Sequence, residues 1–264
     1  MMSHNSEIDF KRQIRGGIPN NLSSAKVIVP LLIEAVKPQS VLDVGCATGT
    51  WLNEFRECEN SIRIQGIDGK WILNQKLQIS SSEIELYDFE DTTCCPMSVW
   101  GDDIHYDLAL SLETAEHISL ERSDFLIDTL VKASDVVYFS GATPRSGGVH
   151  HVNERWQSYW VRKFNDRGYI MVDYVRPKVW NNKRVAYFYA EESFVFVNEN
   201  SISKYPLLNN YVNEPIVDII HPIHFLNQII KPSHEWSYLI DIQKRLFRSY
   251  SEKIRKDLRK ETSK

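Results

Sequence analysis

The sequence lacks the features of a membrane-spanning, secreted or zinc-cage protein. Its longest apolar stretch runs for ten residues from Val27 to Val36 and contains Pro30 and Glu34, so it is too short to cross a bilayer. The start, MMSHNSEIDFKRQ, has no apolar segment, and we expect no secretory signal there. The four cysteines form no CxxC pair, which favours neither a disulfide framework nor a zinc site. We therefore expect a soluble, cytoplasmic protein of a reducing compartment.

Positive charge is scarce along most of the chain and concentrated at its end. Residues 242–264 carry nine lysines and arginines against three acids, whereas the rest of the chain has ten more acids than bases. This acidic body argues against nucleic acid as a partner, because binding a duplex needs distributed positive charge. Residues 235–264 combine apolar residues at helical spacing with a basic opposite face. Such a helix could pack on the domain, form a homodimer contact, lie peripherally on the inner membrane surface, or stay solvated.

Short apolar runs alternate with helical patterns between residues 23 and 197. Two further runs, 169–176 and 185–197, are separated by a turn-like segment at 180–183, which predicts a terminal antiparallel hairpin. The pattern predicts an α/β fold with a doubly wound, mostly parallel, seven-stranded sheet. We predict a lead segment at 1–22, one domain at 23–198 and an irregular extension at 199–264 that ends in the basic helix. The first five predicted strands are Ser40–Val44, Ile62–Ile67, Ile84–Tyr87, Tyr106–Leu112 and Asp135–Ser140.

The segment VLDVGCATGTWL, residues 41–52, joins an apolar strand, a glycine turn and a helix. In an open α/β sheet the ligand lies at the carboxyl ends of the strands, and glycines there let the backbone approach it closely. The following helix offers free N–H groups. The dinucleotide pattern GxGxxG is absent, because position 47 is alanine and the spacing differs. NAD is therefore disfavoured as the ligand.

This segment resembles motif I of the class I S-adenosylmethionine (SAM)-dependent methyltransferases, whose usual form is DxGxGxG. Ala47 departs from that form at the middle glycine. Further motifs follow in the family's order: Ile67-Asp68-Gly69, Tyr87-Asp88-Phe89-Glu90, and a fourth strand leading to Glu116-His117-Ile118. A weaker similarity, at residues 140–160, is to a branch that modifies bacterial polysaccharides and natural products. The resemblance implies a Rossmann-like methyltransferase fold, SAM as cofactor and S-adenosylhomocysteine as product.

The resemblance also implies roles for individual residues. Asp43, Gly45 and Ala47 would surround the methionine moiety of the cofactor. Asp68 would accept hydrogen bonds from the ribose hydroxyls, because a carboxylate can accept two in a fork. Glu113 follows the fourth strand, where the family often places a residue near the methionine or the acceptor. The implied cofactor set is Asp43, Gly45, Ala47, Gly49, Trp51, Asp68, Asp88, Phe89 and Glu113, with Asp88 and Phe89 at the adenine.

The acceptor site is predicted in the Gly/Pro-rich loop after the fifth strand, where such folds carry specificity. A hydroxyl acceptor must lose its proton, and histidine suits that task near neutral pH. We expect His151 as the general base, with His150 as second choice and Glu154 as an orienting carboxylate. Alternatively, the histidines are surface residues and Asn153 and Glu154 merely cap a helix over 153–168. The expected substrate-binding residues are His117, Arg155 and Trp156.

Adjacent histidines point apart, so we expect no metal held by His150 and His151. The predicted function is methyl transfer to an oxygen of a sugar, a glycan or a small natural product. Alternatives are N-methylation of an amino sugar or small amine, cyclisation of SAM itself, and a methyltransferase-like binding module. The Asp-Pro-Pro-Tyr type of signature of enzymes that methylate nucleic-acid amines is absent.

Overall fold

The structure is a computed structural model that describes residues 21–101, 104–212 and 217–230. The chain divides into two compact units, Met1–His221 and Pro222–Lys264. The predicted lead segment lies outside the described residues except for its last two, and the predicted basic helix lies outside them entirely. Among the described residues, no helix has the length and apolar character needed to cross a membrane.

The first unit is built on one seven-stranded sheet with the order β3-β2-β1-β4-β5-β7-β6. Strand β7 is antiparallel to both of its neighbours, and the other pairings are parallel. The predicted doubly wound sheet with an antiparallel last strand is confirmed. The strands are β1 Ser40–Val44, β2 Arg63–Asp68, β3 Ile84–Leu86, β4 Leu108–Ser111, β5 Val136–Phe139, β6 Tyr169–Val172 and β7 Phe194–Asn198.

Helices cover both faces of this sheet. The described part of the first unit contains the helices α1 Asn21–Val36, α2 Thr50–Cys58, α3 Met97–Trp100, α4 Ser123–Ala133, α5 Gln157–Asn165, α6 Arg176–Val179, α7 Tyr187–Glu192 and α8 Pro206–Asn209. It also contains short 3-10 turns at Lys70–Asn74, Ser81–Glu83, Ala115–His117, Leu120–Arg122 and Ile202–Lys204. The described part of the second unit contains helix α9, Pro222–Ile230.

Two apolar clusters, one on each face, hold the sheet between its helices. All five residues of β1 are buried, as expected for a central parallel strand covered on both faces. On one side, α1 contributes Ile28 and Leu32 to the same cluster as Phe55 of α2. On the other side, α4 contributes Leu126 and Leu130. The core thus fixes β1, β2 and β4 side by side, with their carboxyl ends at one edge of the sheet.

Several element boundaries differ from the sequence prediction, and two of these differences affect the predicted acceptor region. The second arm of the predicted hairpin begins at β7, because residues 187–192 form helix α7 with Tyr189 buried. An apolar run of this length cannot distinguish a strand from a buried helical segment. The helix predicted over 153–168 is α5, which begins only at Gln157. Tertiary contacts hold the preceding residues as a loop, because the buried Asn153 Nδ2 donates to Ser123 Oγ at 2.8 Å and Arg155 N donates to Ala142 O at 3.0 Å.

Candidate active site

The turn after β1 has the backbone path that a closely approaching ligand requires. Gly45, Ala47 and Gly49 all have positive φ, at 84°, 48° and 80°. A Cβ atom on Gly45 would stand 2.1 Å from Thr114 Oγ1, so no other residue fits there without a local shift. Ala47 keeps the left-handed backbone in spite of its Cβ, which is an unusual conformation for alanine. The departure from the family motif therefore leaves the path of the turn intact.

Asp68, at the end of β2, ties this turn to its own strand. Its Oδ2 accepts a hydrogen bond from Ala47 N at 2.6 Å, and its Oδ1 accepts one from Gly69 N at 2.7 Å. Burial raises the pKa of Asp68 to about 6, although these two backbone donors act in the opposite direction. A carboxylate has about four lone-pair positions. The Trp71 side chain is a third hydrogen-bond partner of this carboxylate, so one position remains for a ribose hydroxyl, which the resemblance assigns to this residue.

Asp43 is a buried acid with an unsatisfied oxygen. Its carboxyl group lies on β1 beside the turn, and its Oδ1 has no hydrogen-bond partner among the described residues. Burial, and then the neighbouring charge of Asp68, raise its pKa to about 7. A buried acceptor without a partner is costly, at about 1–3 kcal/mol. A ligand that brings a donor or a positive charge would remove this cost.

The residues assigned to adenine lie after β3. Phe89 is buried, and its ring packs edge-on against Tyr87 with centroids 5.0 Å apart. Asp88 is exposed, and its Oδ1 accepts a hydrogen bond from Glu90 N at 2.9 Å. Trp51, in contrast, is 3% exposed and packs on Tyr189 at 5.1 Å within the core. The Trp51 side chain therefore packs within the core, next to the turn whose residues are assigned to the cofactor.

Glu113 follows β4 in a strained conformation, with φ 53°. Its backbone N–H donates to Ser140 Oγ at 3.0 Å, and this hydroxyl donates to Glu113 Oε1 at 2.8 Å. Burial raises the pKa of Glu113 to about 7. Non-glycine residues with positive φ cluster at functional sites. The hydroxyl of Ser140 thus locks Glu113 at the edge of the sheet where the cofactor acids lie.

Sequence reasoning missed a second buried acid in this region, Glu192 of α7. Its Oε1 accepts hydrogen bonds from the backbone N–H of Thr143 at 2.9 Å and from Ser146 Oγ at 3.1 Å. Burial, followed by the charge of Glu113, raises the pKa of Glu192 well above its usual value. The signal in the sequence was a Glu-Glu pair within an apolar run. The sequence predicts a strand for that run, and successive side chains of a strand face opposite sides of the sheet. One of the two acids is therefore expected in solvent, and the pair is not recognised as buried.

The predicted catalytic residues come together in a cluster of polar side chains. His151 Nδ1 lies 3.0 Å from Glu154 Oε1, and His151 Nε2 lies 4.0 Å from Oε1 of the buried Glu116. The rings of His117 and His151 meet edge-on with centroids 4.9 Å apart. Burial, and then the neighbouring His151, lower the pKa of His117 to about 4. His117 is therefore a neutral imidazole at pH 7.

The remaining predicted residues surround this cluster. His150 has φ 64°, and its backbone oxygen lies 3.3 Å from His117 Nδ1. Arg155 Nε donates to Asn153 Oδ1 at 2.8 Å. Trp156 is 43% exposed, whereas Trp160 is buried in the core as predicted. The sequence could not have identified Glu116 as a partner of His151, because more than thirty residues, including α4 and β5, separate the two in the chain.

The glycine turn after β1, the acid after β2 and the cluster beyond β4 define a class I SAM-dependent methyltransferase. Residues 23–169 match the family described as "Methyltransferase domain", and the chain belongs to this family. SAM is its methyl donor, and S-adenosylhomocysteine is its product. The residues present fit this cofactor, because the turn has a left-handed backbone at Gly45, Ala47 and Gly49 and the buried Asp43 keeps an acceptor available beside it.

Several solved protein structures are similar to this chain. One is the plantazolicin methyltransferase BpumL in complex with a triazolic desmethylPZN analog and S-adenosylhomocysteine. The two chains are 12% identical, the alignment covers 74% of this chain and 97% of that chain, and the TM-score is 0.48. Another is TnmH, which is 14% identical to this chain over an alignment that covers 66% of it, with a TM-score of 0.44. An O-methyltransferase family protein from Burkholderia thailandensis has 10% identity, 66% coverage of this chain and TM-score 0.44. The chain spans 55% of the length of each of the last two proteins. A comparison with curated protein sequences gave no match.

Proposed function

We propose that this chain transfers a methyl group from SAM to an oxygen atom of a sugar, a glycan or a small natural product. The observation that carries the proposal is the arrangement of His151, which is held by Glu154 through Nδ1 and turns Nε2 toward Glu116. This arrangement places a proton acceptor beside the edge of the sheet that holds the cofactor acids.

The cofactor would lie across the carboxyl ends of β1, β2 and β3. Asp68 would bind the ribose hydroxyls, and Asp43 with the turn at Gly45 would face the methionine moiety. Asp88 and Phe89 would border the adenine. SAM supplies an electrophilic methyl group on a positive sulfonium. The contribution of the chain is to hold the acceptor oxygen in line with that methyl group, and such positioning is worth roughly 7–11 kcal/mol.

The proton of the acceptor hydroxyl would pass to His151. A carboxylate can only accept a hydrogen bond, so we assign the ring hydrogen to Nδ1, which donates to Glu154. The lone pair then lies on Nε2, on the opposite side of the ring. Methyl transfer forms the new O–C bond, returns the S–C bond pair to sulfur and leaves the proton on Nε2. Glu154 is a positioning residue in this scheme, because it fixes the tautomer and contacts no reacting atom.

The acceptor would rest on the exposed side of the same loop. Val152 is 65% exposed and Trp156 is 43% exposed, so both side chains are accessible to an acceptor. An indole face suits the apolar face of a sugar ring or an aromatic product. Arg155, which lies between them in the sequence, would supply hydrogen-bond donors for hydroxyl groups. These features support a small polyhydroxylated or aromatic acceptor.

The proposal is tested by following the methyl group. The full chain is incubated with ¹³C-methyl SAM and matched acceptors that differ by one group, glucose against glucosamine and phenol against aniline. The expected product carries the label as an O-methyl group on the hydroxyl compounds. Label that appears only on nitrogen of the amines, with the hydroxyl compounds unmodified, would show that the chain is an N-methyltransferase.

A further inference from the structure

Three side chains beside the sheet form a compact set of metal-ligand types. Glu116, His117 and His151 each present one carboxylate oxygen or imidazole nitrogen, and these three atoms all lie within 4.8 Å of one another. Two imidazoles and one carboxylate are a ligand set that divalent transition metals favour. This set differs from the pair His150 and His151 considered from the sequence, since His150 contributes its backbone oxygen to the site.

Hydrogen bonds fix both imidazoles in the tautomer that metal binding needs. His151 Nδ1 faces Glu154 Oε1 at 3.0 Å, and His117 Nδ1 faces the backbone oxygen of His150 at 3.3 Å. Both partners are pure acceptors, so the ring hydrogens belong on the two Nδ1 atoms and the lone pairs on the two Nε2 atoms. Metal-binding histidines almost always donate their other N–H to a carboxylate or a backbone carbonyl.

Glu116 supplies an independent sign that a ligand is needed. Its side chain is 1% exposed, and its Oε2 is buried without a hydrogen-bond partner among the described residues. A buried carboxylate oxygen in this state is costly unless a cation or a donor meets it. No lysine or arginine lies within ion-pair distance of this carboxylate among the described residues, and the nearby charged groups Glu113 and Glu154 are also acidic.

The backbone holds the three side chains together. Val152 N and Asn153 N both donate to the backbone oxygen of Glu116, at 2.8 and 3.1 Å. These bonds pin the loop that carries His151 onto the 3-10 turn that carries Glu116 and His117. The ligand set is thus preformed on two anchored segments, as a specific metal site requires.

We propose that Glu116, His117 and Nε2 of His151 bind one divalent transition-metal ion, with its remaining positions open to water or to an acceptor oxygen. The cation would occupy Nε2 in the metal-bound chain, whereas the general-base role proposed for His151 belongs to the metal-free chain, because one lone pair on Nε2 cannot serve both. The cation would instead lower the pKa of a bound hydroxyl, whose proton would leave to solvent. The proposal that this site binds a metal ion does not depend on the proposal that the methyl acceptor is an oxygen atom.

The test is a titration of the untagged, chelator-treated full chain with Co²⁺, followed by calorimetry and by visible absorption. The expected result is one ion per chain and an absorption band from protein-bound cobalt. Glu116→Gln and His117→Ala should abolish the band, and Glu154→Gln should weaken binding about 10–100-fold through its hydrogen bond to His151. The exposed His105→Ala is the matched control, and its titration should equal that of the wild type.

Binding of S-adenosylhomocysteine is measured on the same samples. It tests the cofactor site separately from the metal site and shows that each variant is folded. The metal proposal is overturned if the wild type binds no Co²⁺ while it binds S-adenosylhomocysteine. It is equally overturned if the folded Glu116→Gln and His117→Ala variants bind Co²⁺ as the wild type does. Failure of the oxygen-acceptor proposal would appear only in the labelled-product experiment and would leave the Co²⁺ titration unchanged.

Discussion

The Nδ1 atom of His151 lies 3.0 Å from Oε1 of Glu154, three residues along the chain. The same carboxyl group accepts hydrogen bonds from the backbone N–H groups of Arg145 and Gly147, at 2.7 and 2.9 Å. Glu154 therefore closes the loop from residue 145 to 154 around the imidazole. One carboxylate sets both the path of the loop and the orientation of the ring.

The first prediction concerns the proton acceptor. In an assay with chelator present, His151→Ala should lower kcat by about 10²–10⁴-fold and leave the affinity for SAM unchanged, because only the proton transfer loses its partner. His150→Ala is the comparison, because it removes the neighbouring imidazole and keeps His151, whose Nδ1 is the atom that lies 3.0 Å from Glu154 Oε1. Full activity of His151→Ala together with loss of activity in His150→Ala would reverse the assignment.

The second prediction concerns Ala47. Replacing Ala47 by glycine should relieve a left-handed conformation that costs alanine about 1–2 kcal/mol. Glycine gains about 0.4–1 kcal/mol of freedom in the unfolded chain, so the net stabilisation should lie between about 0 and 1.6 kcal/mol. Denaturant unfolding measures this change. The affinity for SAM should persist because the N–H that binds Asp68 is retained, and a destabilised variant would argue against the left-handed turn.

The third prediction concerns the opposite change at Gly45. An alanine at position 45 must adopt φ 84°, and its Cβ would lie 2.1 Å from Thr114 Oγ1. Gly168→Ala is a matched control, because Gly168 has φ 74° but an added Cβ would lie 3.6 Å from its nearest neighbour, Glu199 Oε1. We expect Gly168→Ala to lower the free energy of unfolding by about 1–2 kcal/mol. Gly45→Ala should add about 1–3 kcal/mol for the clash, and equal losses would contradict the packing described here.

The fourth prediction concerns protons released when the cofactor binds. The pKa values of Asp43 and Glu113 are both raised to about 7, so each group is partly protonated near neutral pH. A nearby positive charge favours the ionised form and lowers such a pKa. SAM, which carries a sulfonium, should therefore release more protons at pH 7 than S-adenosylhomocysteine, which is uncharged at sulfur.

Calorimetry in buffers of different ionisation enthalpy measures this difference. Asp43→Asn should reduce it, because an amide has no proton to release at this pH. Equal proton release by both ligands in the wild type would show that the buried acids do not sense the sulfonium.

Much of the cofactor side could be predicted because its signals are local. The apolar run of β1 ends in a glycine turn, and Asp68 follows directly after β2. The parallel pairing Val44 with Ile67 then brings these two strand ends together, as the topology requires. Trp51 shows the limit of this reasoning, because motif position alone could not show that its side chain is buried against Tyr189.

The acceptor side depends on contacts between distant segments, which no local pattern contains. Glu116 meets His151 only because backbone bonds dock one loop on another. Glu192 meets Thr143 only because residues 187–192 form a helix that buries its acids against the loop after β5. Local sequence indicated which residue types were available, whereas tertiary packing decided which of them met.

The most direct test of the account is the affinity of Asp68→Ala for the cofactor. The wild type should bind SAM and S-adenosylhomocysteine with one molecule per chain in a calorimetric titration. Asp68→Ala should weaken both ligands equally, by about 1–3 kcal/mol, because the ribose hydroxyls are common to both. Thermal unfolding of the variant shows whether the turn held by Ala47 N is intact. A wild type that binds neither ligand, or a folded Asp68→Ala that binds both as tightly as the wild type, would contradict the site described here.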